Sequence, residues 1–237
     1  MTIHLLYISN MPIMQQLQLE EALLRIDTRN FCIINVGSPR AVVMGISGKP
    51  DELVDRNEMA SQNVPLIKRY SGGGTVVVDE KTVFVTWIMG GDVLGIKPYP
   101  EPVLQWSTEF YKKAFEIEGF GLIENDYVIG EKKCGGNAQY FRKNRWVHHT
   151  TFLWDYSDKN MELLLMPKRK PEYRKERSHL DFLVKLLPYF SSANEMGDAI
   201  AAEVRKQFSV EDVGEEIFNE SFGDHRKAVE KILLEGF

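Results

Sequence analysis

Two cysteines, Cys32 and Cys134, are all that the 237 residues carry. They make neither a disulfide framework nor a zinc-ligand spacing, so a reducing compartment is the simpler expectation. Long hydrophobic runs are missing as well. No segment is long enough to span a bilayer, and no basic start precedes an apolar stretch near Met1, which leaves the cytoplasm as the expected location and no membrane partner. Basic charge is not in excess. With 29 Lys and Arg against 34 Asp and Glu, the formal net charge of −5 gives no general attraction to nucleic acid, although local basic patches stay open. There is no internal repeat and no low-complexity tract. What remains, 43% hydrophobic and 27% charged residues, is ordinary for a globular protein with a sizeable core.

Periodicity and turn chemistry predict the elements. Residues 3–8 read as a strand, and Asn10 with Pro12 supplies an N-cap and an early proline for a helix carrying Ile13, Leu17, Leu23 and Leu24 inward. Strands are expected at 31–36 and 41–44, short helical turns at 51–55 and 57–62, and a strand at 66–70. Segments 75–78 and 83–89 are expected to pair with each other around Asp79-Glu80-Lys81-Thr82. A helix then presents Val103, Trp106, Phe110, Ala114 and Ile117 on one face. Further strands follow at 126–129, 133–140 and 146–154, the last two joined by a turn at Lys143-Asn144. From Asp158 the chain reads as helices, with helical spacing at Ile200, Val204 and Phe208 and again at Val229, Ile232 and Leu233. Strands joined by short turns and mixed with helices argue for an α+β fold with a mixed, largely antiparallel sheet flanked by helices. A doubly wound nucleotide fold is disfavoured.

The run Arg69-Tyr70-Ser71-Gly72-Gly73-Gly74-Thr75 joins two strand segments through three consecutive glycines. Glycine admits positive φ and lets a ligand or another strand lie against the backbone. A polar glycine loop entered by an arginine suits an anion or an activated acyl group. It does not fit G-x-G-x-x-G or G-x-x-x-x-G-K-[ST], and a strand follows it where those motifs need a helix. A second stretch, Asp126 to Gln139, sets Lys133 beside the glycine pair Gly135-Gly136. A lysine lying against small residues can bring its ammonium to a carboxylate or acyl phosphate, and a surface hairpin with solvated lysines is the plain alternative. His148 and His149 are adjacent in a strand and so point to opposite faces, a buried structural role being the simpler reading for either. Trp87, Trp106, Trp146 and Trp154 read as core. By strand alternation Val76, Val78, Phe84 and Trp87 are candidates to line an apolar tunnel, with the face left open.

Together these stretches resemble the lipoate-protein ligase family and its biotin-ligase and octanoyltransferase relatives. Arg69-Tyr70-Ser71-Gly72-Gly73-Gly74 is similar to the family's R-x-S-G-G-G loop, and Lys133-Cys134-Gly135-Gly136-Asn137-Ala138-Gln139 to its K-x-[SG]-G-[NS]-A-Q segment. His148-His149-Thr150-Thr151-Phe152-Leu153 is similar to H-H-G-T-L-L, and Arg177-Ser178-His179-Leu180 sits where the family has a basic, serine-containing turn. The resemblance implies a catalytic domain over 1–193 of class II aminoacyl-tRNA-synthetase and biotin-ligase type, with 194–237 as a short helical extension. It also implies a two-step reaction in which ATP activates lipoate to an acyl adenylate, which is then passed to a lysine of a lipoyl carrier domain. Carriers of that kind are the E2 subunits of 2-oxoacid dehydrogenases and the glycine cleavage H protein.

The same resemblance assigns residues. Lys133 is the expected catalytic residue, binding the carboxylate and then polarising the acyl carbonyl. Arg69, Ser71, Gly72, Gly73, Gly74, Asp79, Gly136, Asn137, Ala138 and His149 are expected around the substrate or adenylate, and Asp126 around the adenylate or Mg²⁺. Asp79 has a turn role as its alternative. Several positions depart from the family. Val78 stands where many ligases have histidine, Thr82 where they have asparagine and Thr150 where they have glycine, and Ile46 follows Gly45 where relatives place a basic residue. The segment after 193 is also short for the accessory domain of larger ligases, so a separate partner for adenylation is an open expectation. The alternatives are an octanoyl or lipoyl transferase using a pre-activated donor, and a non-catalytic acyl- or carrier-binding homologue. Transferase relatives use a cysteine nucleophile; Cys134 is expected to turn away from Lys133, and Cys32 reads as core. Lys168, Arg169, Lys170, Arg174, Lys175 and Arg177 form a candidate docking surface for an acidic carrier, a solvated charge run being the alternative.

Overall fold

A computed structural model describes residues 1–168, 170–214, 216–217 and 228–232. The chain opens with β1 (Thr2–Ser9), α1 (Ile13–Ile26), β2 (Phe31–Val36) and β3 (Ala41–Met44), then two short helices, α2 (Pro50–Leu53) and α3 (Arg56–Ser61). β4 (Leu66–Lys68) and β5 (Val76–Val78) flank the glycine run and lead to β6 (Thr82–Gly90). After α4 (Pro100–Phe115) come β7 (Phe120–Ile123), β8 (Asp126–Ile129), β9 (Lys132–Phe141) and β10 (Arg145–Leu153). Single 3₁₀ segments at Asp158–Leu163 and Glu172–Arg174 and the short α5 (His179–Phe182) precede α6 (Ala193–Gln207), β11 (Ser209–Asp212) and β12 (Glu230–Ile232).

Two sheets result. The larger runs β11-β1-β2-β6-β10-β9-β8-β7, with β1 parallel to both β11 and β2 and every later neighbour antiparallel. The smaller runs β12-β4-β3-β5. This is the expected α+β class with a mixed, largely antiparallel sheet. Alternation along β6 shows how the layers form: Val83, Val85, Trp87 and Met89 enter a core closed by α4 and α6, while Phe84 and Ile88 enter a second core closed by α1 and the small sheet. α1 presents Ile13, Leu17 and Leu24 to that second core at helical spacing. No described helix is long and apolar enough to cross a membrane.

The structure corrects several expectations. β5 and β6 do not pair. β5 joins β3 in the small sheet, with Ala41 opposite Val78, while β6 lies between β2 and β10. The 79–82 turn is closed by its own side chains, Asp79 Oδ1 accepting from the Lys81 amide at 3.0 Å, and is tied to the end of β2 by Gly37 N to Thr82 O. It hands the chain from one sheet to the other. Asn10 does not cap α1: it has φ 57°, and the first helical amide, Ile13 N, donates instead to Ser38 Oγ at 3.0 Å from a distant segment. Trp87 faces the α4 core and lies edge-on to Trp106 and Phe110, so it lines nothing near the glycine loop. β7, unmarked by the periodicity, forms the far edge of the large sheet.

The segment after 193 is helical only at first. α6 buries Met196, Ile200 and Val204 in the same core as β1, β2 and β6, and β11 and β12 then add strands to the two sheets. Ile232, read at helical spacing with Val229, belongs to a strand; Leu233 lies outside the described residues. Sheet pairing supplied by β1 and β4 overrides local periodicity there.

Candidate functional site

Leaving β4, the chain turns Arg69 inward. Its guanidinium is buried and donates through Nε to Ser71 Oγ at 3.1 Å and through Nη2 to the carbonyls of Gly72 at 2.7 Å and Gly74 at 2.9 Å. Burial pushes the Arg69 pKa down to about 10, which leaves it charged at neutral pH. Arg69 therefore ties the loop to itself from within. Gly73 needs its lack of a side chain: φ is +104°, and a Cβ there would lie 2.7 Å from Arg69 Nη2. Gly72 and Gly74 face open space, with nothing within 4 Å of a Cβ at either.

Ser71 is anchored twice more. Its carbonyl accepts from Ile46 N at 2.9 Å, and its hydroxyl meets His149 Nε2 at 2.8 Å. His149 Nδ1 meets Glu20 Oε2 at 2.9 Å. Glu20 is a fully buried carboxyl on α1, also bound by the Thr86 hydroxyl at 2.6 Å and the Gln16 amide at 2.9 Å. His148 points to the other face, as strand alternation requires. There it is fully buried between Tyr127 Oη at 2.8 Å and Gln139 Nε2 at 3.0 Å, and burial, with His149 adding to it, lowers its pKa to about 3. His148 is a neutral structural histidine.

Lys133 stands at a bulge. Tyr127 pairs with Gly135 and Val128 with Lys133, so Cys134 is the extra residue between them. The bulge turns Cys134 into the α4 core, where burial pushes its thiol up to about 12; a nucleophilic thiolate is excluded. Cys32 is likewise buried and its thiol pushed up. Lys133 Nζ lies over Gly136, where a Cβ would come within 3.1 Å of it, and pairs with Asp126 Oδ1 at 2.7 Å. Asp126 Oδ2 accepts from Tyr173 Oη at 2.9 Å.

β9 joins the two halves. Ala138, opposite His149, lies 3.4 Å from the position of a Gly73 Cβ, and Gly136 is two residues along the same strand. At the rise of an extended strand that separation is about 7 Å. Arg69, Ser71, Gly73, Ala138 and His149 are thus one cluster, with Lys133, Asp126 and Gly136 beside it. Two expected residues are occupied elsewhere. Asn137 Nδ2 donates to the Asn125 carbonyl, and Asp79 closes its turn and accepts from Asn160 Nδ2 at 2.7 Å. Each Asp126 oxygen has one donor already, and no group of three His, Cys, Asp or Glu side chains among the described residues would hold a metal. A hard cation arriving with phosphate oxygens and water needs one protein carboxylate, and Asp126 fits that part.

Residue types alone left Glu20, Gln16, Thr86 and Tyr173 unmarked. For Glu20 a signal existed, since it sits three residues after Leu17 and four before Leu24, inside the buried stripe of α1. In the basic connection the arginines are engaged within the protein and the lysines make exposed pairs. Lys168 pairs with Glu52 and Lys170 with Glu176, Arg174 stacks on Phe182, and Arg177 donates to the carbonyls of Glu131 and Tyr173; Arg169 lies outside the described residues. A cleft of about 320 Å³ between α4 and α6, lined by Lys113, Phe115, Ala199 and Lys206, lies on the face of the sheet away from the glycine loop.

Residues 12–215 match the family model described as the lipoyl protein ligase A/B catalytic domain. Among curated proteins, the chain is 31% identical to the inactive lipoate–protein ligase 2 of Plasmodium falciparum over 245 aligned residues, 76% of this chain and 63% of that one. It is 25% identical to the lipoate-protein ligase LplJ of Bacillus subtilis over 190 residues, 78% and 56% of the two chains. This chain therefore spans less than two thirds of the length of either relative. Among solved structures, a lipoate-protein ligase A bound with ATP superposes with a TM-score of 0.75 at 19% identity, covering 93% of this chain and 94% of that one. The bi-partite lipoate protein ligase of Thermoplasma acidophilum gives 0.75 at 20% identity, covering 93% and 91%. At such identities the likeness shows the fold.

Proposed function

Because this chain belongs to the lipoyl protein ligase A/B catalytic-domain family, we propose that it is a lipoate-protein ligase that activates lipoate with ATP and passes the acyl group to a lysine of a lipoyl carrier domain. The observation that carries this reading is Lys133: its ammonium lies over Gly136, beside the glycine loop, held by one ion pair that a substrate carboxylate can replace. In the first step the lipoate carboxylate attacks the α-phosphorus of ATP and pyrophosphate leaves. Lys133 would hold and orient that carboxylate, and the open faces of Gly72 and Gly74 would let the ligand approach the loop backbone. In the second step the carrier lysine amine, as the free base, attacks the acyl carbonyl of the mixed anhydride. An amide forms, AMP leaves and the amine loses a proton, while Lys133 stabilises charge developing on the carbonyl oxygen. Asp126 is the residue that would hold Mg²⁺, which when bound neutralises charge on the phosphates.

A second reading is favoured by one observation: the positions that depart from the family pattern offer no free polar group to a nucleotide. Val78 is packed in the α1 core, the Thr82 hydroxyl bonds to Asp79 within its turn, and the buried Thr150 hydroxyl meets His148. On this reading the chain transfers an acyl group from lipoyl adenylate made elsewhere, with a separate partner for activation. The P. falciparum relative is called an inactive ligase, which bears on ATP-driven ligation and says nothing of transfer. Cytoplasmic placement and E2 or H-protein carriers belong to the same proposal.

The test is pyrophosphate release on adding lipoate, ATP and Mg²⁺, together with the mass of a lipoyl-domain acceptor. Release and acylation support the ligase; acylation only from preformed lipoyl adenylate supports the transferase. If Lys133→Ala leaves both steps intact, the reading is wrong.

A further inference from the structure

The side chains under the glycine loop form a chain of hydrogen bonds with a direction. Arg69 Nε can only donate, so at 3.1 Å Ser71 Oγ accepts from it. Assigning the single Ser71 proton to His149 Nε2 at 2.8 Å makes that nitrogen the acceptor. The ring proton then sits on Nδ1 and is donated to Glu20 Oε2 at 2.9 Å. Every other partner of Glu20 also donates: Thr86 and Gln16 to Oε1, and Tyr70 to Oε2 at 3.4 Å. Glu20 and Ser71 are both fully buried.

These distances match a Ser-His-Glu set that activates a serine nucleophile. Two facts direct the set to another use. Ser71 is closed off from solvent, and one of its lone pairs is already taken by Arg69, so a substrate carbonyl has no approach to Oγ. What the bonds do fix is the seat of Ser71 on β10, and with it Ile46 on the Ser71 carbonyl and Gly73 against Ala138.

We propose that Glu20 is a positioning residue which, through the His149 ring, sets the direction of the Ser71 hydroxyl and so docks the glycine loop onto β9 and β10 in the form that receives an acyl substrate. The last clause rests on the ligase reading; the docking does not. Without the Glu20 acceptor, the ring proton is free to move to Nε2, and that nitrogen and Arg69 Nε both donate to Ser71. The serine proton is then displaced from its acceptor, and a buried donor in the loop is left unpaired.

The intact 237-residue chain tests this in the ligand-free state. Nitrogen NMR of the wild type should find His149 as the Nδ1–H tautomer, and Glu20→Gln, which keeps the volume, should shift it toward Nε2–H. The Ile46 amide, which reports loop docking, should exchange about tenfold faster in Glu20→Gln, the size of one lost buried hydrogen bond. Ser71→Ala should do the same, and the double variant should be no worse than Ser71→Ala alone. Lipoate affinity should weaken in parallel. An Nε2–H tautomer in the wild type, additive effects in the double variant, or labelling of Ser71 by a fluorophosphonate would each overturn the proposal. The wild-type tautomer needs no variant, so poor folding of Glu20→Gln does not shelter the idea. Normal loop results in a wild type that binds no lipoate would remove the acyl clause, and with it the ligase reading, while leaving the docking role in place.

Discussion

At the glycine loop Arg69, Ser71, Glu20 and Thr86 are buried and find their partners inside the protein, whereas a few residues along β9 the Lys133 side chain is 27% exposed and rests on one ion pair with Asp126. The first arrangement is completed by folding. Leaving one member of a buried hydrogen-bond network without its partner costs about 1–3 kcal/mol, so its geometry is held whether or not a ligand is present. The second is left open on one side. Asp126 is buried, but the Lys133 ammonium keeps a side open to solvent, and on the ligase reading that open side is where a substrate carboxylate meets it. One end of the site is a fixed wall and the other an open charge, which is what an enzyme needs if a charged substrate is to be captured against a backbone that does not move.

Substitutions that separate rate from stability test this contrast. The largest effect is expected for Lys133→Ala: acyl transfer should fall about 10²- to 10³-fold, while urea unfolding shifts by about 1 kcal/mol or less. Carrier mass and a denaturation curve measure the two, and a large stability loss with an unchanged rate would invert the comparison. Gly73→Ala should behave in the opposite sense. At φ +104°, with Arg69 Nη2 in the way, it should cost about 2–3 kcal/mol of stability and weaken lipoate binding.

Acid sharpens the comparison from the other face of the sheet. His148 keeps a folded pKa of about 3 against an ordinary 6.5, so between those values the unfolded chain binds the extra proton and the folded one does not. Stability should therefore fall as pH drops below about 6.5, by about 1.4 kcal/mol per pH unit. Urea midpoints at pH 5 and pH 7 measure it, and His148→Gln should flatten that part of the slope. The smallest effect is expected for Tyr173→Phe. Losing one donor, Asp126 should hold Lys133 more strongly and raise the KM for the acid about two- to fivefold, with kcat nearly unchanged; a lower KM would show that Tyr173 closes the site.

Much of the fold was legible because each strand's alternation and each turn's chemistry are local. β2 and β3 begin and end where the strands expected at 31–36 and 41–44 do. The expected pairing of β5 with β6 failed for a reason no window shows: the Asp79 turn is held by Asn160 and by the end of β2, both far away in the chain. Ile13 N is satisfied by Ser38 for the same reason, and so Asn10 was free of the capping role its residue type suggested. Within the site, Lys133 stood out because it adjoins a glycine pair. Glu20 did not, because a single carboxylate on an apolar helix face has meaning only once His149 and Thr86 are brought to it.

By itself the sequence determined the glycine loop, the lysine beside Gly135-Gly136 and the class of fold, since positive φ, close backbone approach and strand alternation are properties of residue type and spacing. Only the tertiary structure decided which partners those residues meet. It tied the Arg69 guanidinium to the carbonyls of its own loop, sent Trp87 and Cys134 to the other face, and placed a buried carboxyl from α1 behind the histidine that holds Ser71. The physical reason is that hydrogen-bond direction and burial depend on every group within a few ångströms, and those groups come from segments that lie far apart along the chain.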